Sequence, residues 1–144
     1  MKRDDGSTLP LTIFYGVLSL VLVLLVVAAT SLYLERKRLF TLADGAALVG
    51  AEAFDLAAVR ETPAGFRPTL DSPDVAAAVS AYLSTAPTAD LAQLRLERAE
   101  SVDGRSATVE LSAYWRPPVL TVLVPEGLRI EVTSVARSVF FQPG

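Results

Sequence analysis

The sequence predicts an α+β protein: a long N-terminal transmembrane helix continues into a soluble domain that has a second helix and a three-stranded antiparallel sheet. Three observations predict this fold. A long uncharged apolar run stands near the start of the chain, a helical pattern without proline follows it, and the later part alternates apolar with polar residues. A period near 3.6 is typical of amphipathic helices, and a period of two is typical of strands.

The apolar run extends from Leu9 to Leu34 and contains no charged residue. As a helix it would be about 39 Å long, which exceeds the roughly 30 Å hydrocarbon core of a membrane. Tyr15 and Tyr33 stand near its two ends, where aromatic rings favour the headgroup boundary. We therefore predict a membrane anchor that interacts with lipid.

The rest of the chain is arranged around this anchor. The expected parts are a head over residues 1–8, a transmembrane helix over 9–34, an amphipathic continuation of the helix over 35–60, and an α+β domain over 61–144. A collar of charged residues, Glu35 to Arg38, follows the span. Two basic residues precede the span and three follow it, so charge alone slightly favours a cytoplasmic C-terminal side.

A cleaved secretory signal is the alternative to an anchor. Lys2 and Arg3 would form its basic region, and Val27-Ala28-Ala29 resembles a cleavage site of small residues. The apolar run is, however, much longer than the about 7–15 residues of a signal sequence.

The amino-acid composition limits the chemistry. The chain has no cysteine and no histidine, so disulfides, thiolate metal sites and histidine general bases are excluded. Its net charge is −3, and the part after the collar is acidic without a basic stripe, which argues against nucleic-acid binding. We predict no catalytic residue, no metal, no cofactor and no small-molecule substrate, and therefore no enzyme.

The helical pattern continues beyond the collar, and we expect one helix from Pro10 to Val59. At about 100° per residue, small residues share one face within roughly 60°. This small-residue stripe, the predicted helix-packing site, consists of Ala46, Gly50, Ala53 and Ala57. Acidic residues lie on the opposite side and are interpreted as a solvated face rather than a metal or acid–base site. They are Asp44, Glu52 and Asp55.

A loop and a second helix follow. The stretch from Glu61 to Pro73 is rich in proline and is interpreted as a linker. Ser72 and Pro73 then form a typical helix start, and the helix ends before Pro87. Its apolar face contains Val75, Val79 and Tyr82.

Three strands complete the prediction. Leu94 and Leu96 share a face of the first strand, and Asp103-Gly104 favours a two-residue hairpin. The second strand alternates Ala107, Val109, Leu111, Ala113 and Trp115 with polar residues. The third alternates Leu128, Ile130 and Val132 and continues to Phe141. The run from Val119 to Val124 fits either a strand or a helical turn. Trp115 is interpreted as a core residue rather than a stacking platform.

The residues from Leu39 to Phe54 carry a resemblance to a known family. An uncharged span, a charged collar and then Leu42-Ala43-Asp44-Gly45-Ala46-Ala47-Leu48 resemble the Tad-type (Flp) pilus-assembly proteins of the TadE/TadG-like pseudopilin class. The residues that match the family motif are Ala43, Asp44, Ala46, Ala47 and Leu48. The resemblance covers roughly the first 55 residues, and the strand-rich remainder is compatible in layout only.

The resemblance implies a pilin-like, single-pass protein of the bacterial cell envelope with a cytoplasmic N-terminus and an extracytoplasmic domain. Its partners would be other pilus-assembly or pilin-like subunits. Related pseudopilins are cleaved after a glycine, and Gly6-Ser7 stands at the corresponding place. Leu11 occupies the fifth position after that bond, where the family has glutamate.

Two functions of different classes remain open. One is a structural component of a Tad-type apparatus that packs through the small-residue stripe. The other is a membrane-tethered extracytoplasmic binding domain with no connection to pili.

Overall fold

The computed structural model confirms the predicted α+β fold. It describes residues 8–54, 60–62, 65–67, 69–117, 121 and 125–137. These residues include two α-helices, α1 (Thr8–Ala51) and α2 (Ser72–Thr85). They also include five strands, which are β1 (Arg60–Thr62), β2 (Gly65–Arg67), β3 (Ala92–Glu100), β4 (Ser106–Trp115) and β5 (Leu128–Arg137). The strands β3, β4 and β5 form one antiparallel sheet in that order, with β4 at its centre.

Helix α1 ends earlier than the sequence predicts. It stops at Ala51 rather than Val59, and the three described residues that follow are not helical. Their backbone amides form a tightened last turn: Glu52 N–H donates to the carbonyls of Leu48 and Val49, each at 3.2 Å. Bonds of the shorter i→i−3 type are common where an α-helix terminates. The helical prediction is therefore wrong for residues 52–54, and residues 55–59 lie outside the described part.

The predicted linker contains a small hairpin. Strands β1 and β2 pair antiparallel, with Glu61 opposite Phe66. Neither of the two paired strands contains a proline. Because prolines are typical of loops, the sequence pattern does not predict this pairing.

Helix α2 agrees with its prediction except at its cap. Val75 and Val79 are fully buried and Tyr82 is half-buried. The N-cap residue is Asp71, not Ser72. The Ser72 hydroxyl instead exchanges two hydrogen bonds with the backbone of Ser101, donating at 3.2 Å and accepting at 3.1 Å. This pair joins the start of α2 to the end of β3.

The three-stranded sheet buries one face. All five predicted inward residues of β4 are buried, and Leu111 stands between Leu96 of β3 and Val132 of β5. Helix α1 packs on β4 and β5, and α2 packs on β3 and on α1. The core is therefore the layer between both helices and one face of the sheet.

The connection between β3 and β4 is longer than predicted. It comprises residues 101–105 rather than two residues. Asp103 Oδ1 accepts hydrogen bonds from the backbone N–H of Arg105 at 2.9 Å and of Ser106 at 2.7 Å. Gly104 follows with φ +65°, a conformation that glycine adopts without steric cost.

Two predicted features fall largely outside the described residues. Of the run from 119 to 124, only Thr121 is described, and it lies in a turn. Strand β5 is described to Arg137, so its predicted continuation to Phe141 is not covered.

Candidate functional site

The first half of α1 has an apolar surface that the chain itself does not cover. Leu9, Phe14 and Val26 are all more than half exposed, and no part of the most apolar window of the helix is buried. By length and composition α1 is able to cross a membrane. Within this half, the Thr12 hydroxyl donates a hydrogen bond to the Thr8 carbonyl of the same helix at 2.9 Å. This half of the helix therefore suits a lipid environment.

The second half of α1 is the central helix of the domain core. Its buried residues recur at the helical period and are Leu39, Leu42, Ala43, Ala46, Ala47, Gly50 and Ala51. At Gly50 three neighbours converge: a Cβ there would lie 3.1 Å from Ala107, 3.1 Å from Val75 and 3.2 Å from Val79. Glycine thus allows α1, α2 and β4 to approach one another closely.

The small-residue stripe is divided by the structure. Ala46 and Gly50 lie in the core of their own chain. Ala53 is half-buried beyond the end of α1, and Ala57 lies outside the described residues. The two helical members of the stripe therefore pack α1 against its own domain.

The residues of the family motif point in different directions. Ala43, Ala46 and Ala47 are fully buried, whereas Leu48 is 56% exposed. Asp44 is exposed, yet its Oδ1 accepts a hydrogen bond at 3.0 Å from the hydroxyl of Ser134, which is 5% exposed.

That hydrogen bond provides a partner for the buried hydroxyl of Ser134 and joins α1 to β5 across 90 positions of the chain. Asp44 is exposed, as the predicted solvated face requires, and its bond to Ser134 is an additional contact that the sequence does not predict. Of the other two acids assigned to that face, Glu52 is exposed and Asp55 lies outside the described residues.

A second polar contact joins the sheet to the predicted membrane span. Trp115 is 7% exposed, and its Nε1–H donates to the hydroxyl of Ser31 at 3.1 Å. The burial of Trp115 follows from the alternation of its strand, whereas its bond to Ser31 does not. The available signal was Ser31 itself, a hydroxyl within an apolar run.

The face of the sheet that points away from the helices carries ion pairs. One Nη of Arg129 lies 3.0 Å from Glu97 and 2.7 Å from Glu131. Glu97 also accepts a hydrogen bond from Ser112 at 2.6 Å. These groups join all three strands of the sheet, and because they are partly exposed, each pair stabilises the fold only modestly.

The hairpin between β3 and β4 contains a carboxylate, Asp103, whose pKa is lowered by the backbone of the turn. The backbone N–H groups of Arg105 and Ser106 hydrogen-bond to the Asp103 carboxylate and hold its pKa below the ordinary value. This favours the charged carboxylate, which closes the turn. Within the same part, no group of three or more acidic side chains is close enough together to hold a metal ion.

Helix α1 lies within a segment that matches a known protein family. The family model described as putative Flp pilus-assembly TadE/G-like matches residues 6–53. The predicted resemblance is therefore confirmed. The TadE/G-like segment makes up about a third of the chain and coincides with α1, including both its uncovered apolar half and its buried half. No curated protein and no solved structure matches the chain significantly.

Gly6 and Ser7, the predicted processing site, lie outside the described residues, at the start of the TadE/G-like segment. The segment ends at residue 53, where α1 has just terminated. The TadE/G-like match thus supports a pilus-related role, and it extends over the helix that connects the apolar span to the domain.

Proposed function

We propose that this protein is a membrane-anchored structural component of a Tad/Flp-type pilus or secretion apparatus. The observation that carries the proposal is the coincidence of the TadE/G-like segment with α1. That one helix offers an uncovered apolar surface in its first half and forms the core of a folded domain in its second half. Such a helix holds a domain at a fixed position beside a membrane, which is a structural rather than a catalytic task.

The proposed orientation has a cytoplasmic N-terminus and an extracytoplasmic domain, as the family resemblance implies. The proposed partners are other pilus-assembly or pilin-like subunits. The small-residue stripe has an internal role in this proposal, because Ala46 and Gly50 contact their own chain. Contacts between subunits would instead use the uncovered apolar half of α1, where packing between helices in a membrane also depends on close approach.

A crosslinking experiment in cells tests the proposed partners. A photo-crosslinking residue replaces Val26, which is 65% exposed on the apolar half, and in a matched variant replaces Val135, which is 61% exposed on β5. We expect crosslinks from Val26 to another subunit of the pilus apparatus. Crosslinks from Val135 alone, to a protein outside that apparatus, would contradict the proposal and support a membrane-tethered binding domain.

Topology and processing are tested on the same protein. A cysteine at Val102, which is 82% exposed, would be the sole thiol in the chain. It should react with a membrane-impermeant maleimide in intact cells once any outer layer is permeable. Mature protein that begins at Met1 or Ser7 keeps the anchor. A mature N-terminus after Ala29 would remove the anchor and contradict the proposal.

A further inference from the structure

A groove lies between α1 and the start of β5, at the end of the apolar run. We call it the interface groove, and it has a volume of about 470 Å³. Its lining residues are Ala29, Leu32, Tyr33 and Arg36 on the helix and Arg129, Ile130 and Glu131 on the strand. Cavities that bind small organic groups commonly have volumes of about 300–1,000 Å³.

The helix wall of the interface groove changes from apolar to cationic along its length. Ala29, Leu32, Tyr33 and Arg36 stand at positions i, i+3, i+4 and i+7 and therefore share one face of α1. Arg36 lies about 10 Å further along the helix axis than Ala29. The apolar end adjoins the uncovered half of α1, and the cationic end adjoins the domain.

Arg36 is the cation in this groove that has no acidic partner among the described residues. Arg129 also lines the groove, but its guanidinium is paired on the other face of the sheet with Glu97 at 3.0 Å and Glu131 at 2.7 Å. The positive charge available to a ligand is therefore that of Arg36. A guanidinium binds phosphate oxygens in a bidentate geometry, which makes it a suitable partner for a phosphodiester.

The strand wall adds backbone groups. Because β5 is an edge strand, alternate N–H and C=O groups along it point away from β4. Backbone groups of this kind are suitable partners for the polar glycerol region of a lipid.

We propose that the interface groove binds one membrane glycerophospholipid. Its phosphodiester contacts the guanidinium of Arg36, and the upper part of an acyl chain lies along Ala29 and Leu32. The inference rests on the proposed insertion of the first half of α1 into a membrane. It goes beyond anchoring, because it assigns a defined lipid site at the junction of helix and sheet.

Trp115 makes the site measurable. It is the single tryptophan of the chain, its ring bonds to Ser31 beside the groove, and it stands opposite Leu128, the neighbour of Arg129. The full chain is purified in a phosphate-free detergent and titrated with a phospholipid that carries bromine on its acyl chains. Bromine quenches tryptophan fluorescence at short range, so we expect saturable quenching.

Two variants and a second ligand distinguish the site from general lipid contact. Arg36→Gln should weaken binding at least about tenfold, as loss of a charge-assisted contact implies. Arg38→Gln is the matched control, since Arg38 is exposed on the same helix and does not line the groove. It should bind like the wild type. Ala29→Phe should weaken binding without changing charge, and brominated diacylglycerol, which lacks phosphate, should bind weakly.

Three outcomes would overturn the lipid site: equal binding by Arg36→Gln and wild type, equal weakening by Arg38→Gln, or competition by millimolar inorganic phosphate. The last would indicate a site for free phosphate. Far-UV circular dichroism confirms that each variant is folded. These outcomes are independent of the crosslinking test above, because a chain without pilus partners can still bind lipid in micelles, and one with pilus partners can lack this site.

Discussion

Trp115 donates a hydrogen bond from its indole N–H to the hydroxyl of Ser31 at 3.1 Å, across 84 positions of the chain. Ser31 belongs to the apolar run that the sequence predicts as transmembrane, whereas Trp115 ends the central strand of the sheet. The sheet therefore contacts α1 at a residue within the apolar run. The part of α1 before Ser31 is about 34 Å long, which still exceeds the roughly 30 Å hydrocarbon core.

We predict that this hydrogen bond contributes measurably to the stability of the domain. Ser31→Ala should lower the free energy of unfolding by about 1–3 kcal/mol, because it leaves the buried indole N–H without a partner. Trp115→Phe keeps an aromatic ring but removes the donor, and Trp115→Ala should cost about 3–5 kcal/mol through lost packing.

The measurement is thermal unfolding of the full chain in detergent, followed by far-UV circular dichroism. The Ser31→Ala and Trp115→Phe changes should be less than additive, because either one removes the same bond. Strict additivity would show that the two side chains stabilise the fold independently.

The Asp44–Ser134 pair gives an asymmetric prediction. Asp44→Ala leaves the buried Ser134 hydroxyl without its partner and should cost about 1–3 kcal/mol. The double change Asp44→Ala with Ser134→Ala should cost less than Asp44→Ala alone, because no buried polar group then remains unpaired. Glu52→Ala, which removes an exposed carboxylate from the same region, is the control and should be nearly neutral. Urea unfolding followed by Trp115 fluorescence measures all of these variants.

If the double variant is instead as unstable as the sum of its two single changes, the hydrogen bond does not account for the cost. The readout is direct, since Trp115 remains unchanged in every variant of this series.

Local periodicity predicted the elements of this fold but not the contacts between distant ones. The alternation in β4 and the apolar face of α2 follow directly from spacing, because a buried face requires that spacing. The bonds from Ser31 to Trp115 and from Asp44 to Ser134 do not, because each depends on how α1 lies across the sheet. A hydroxyl or carboxylate at the edge of a helix face looks the same in sequence whether or not a strand supplies its partner.

The end of α1 and the β1–β2 hairpin were missed for a different reason. The residues after Ala51 remain favourable for a helix, so local propensity does not indicate where it ends. Strands β1 and β2 have only three residues each and stand in a proline-rich stretch, so the sequence favours a loop there. The interface groove was also beyond sequence reasoning, since α1 and β5 are far apart in the chain.

The β3–β4 hairpin should be sensitive to acid. The pKa of Asp103 is held below its ordinary value by backbone N–H donors, so the folded state binds this proton less readily than the unfolded state does. The stabilisation is therefore present above the ordinary carboxyl value of about 3.9 and is lost as the pH falls through the lower, folded value. The amide proton shifts of Arg105 and Ser106 should titrate with a midpoint below about 3.9.

Asp103→Asn is the matched control, because it keeps an acceptor oxygen and removes the titrating group. Its two amide shifts should stay flat over the same range of pH. A midpoint above the ordinary carboxyl value in the wild type would contradict the assigned hydrogen bonds.

The two halves of α1 should respond differently to the same substitution of glycine by leucine. Gly50→Leu introduces a side chain where a Cβ alone would lie 3.1–3.2 Å from three neighbours, whereas at Gly16 nothing lies within 4 Å of a Cβ. Overpacking should lower the free energy of unfolding of the Gly50→Leu domain by about 1–3 kcal/mol, and Gly16→Leu should leave it unchanged. Replacing glycine by leucine favours a helix by nearly the same amount at either position, so the difference between the variants isolates packing.

Urea unfolding of both full-length proteins in detergent, followed by Trp115 fluorescence, provides the comparison. Equal stability of the two variants would mean that Gly50 is not held between α2 and β4, and the assignment of the small-residue stripe to the core of its own chain would fail.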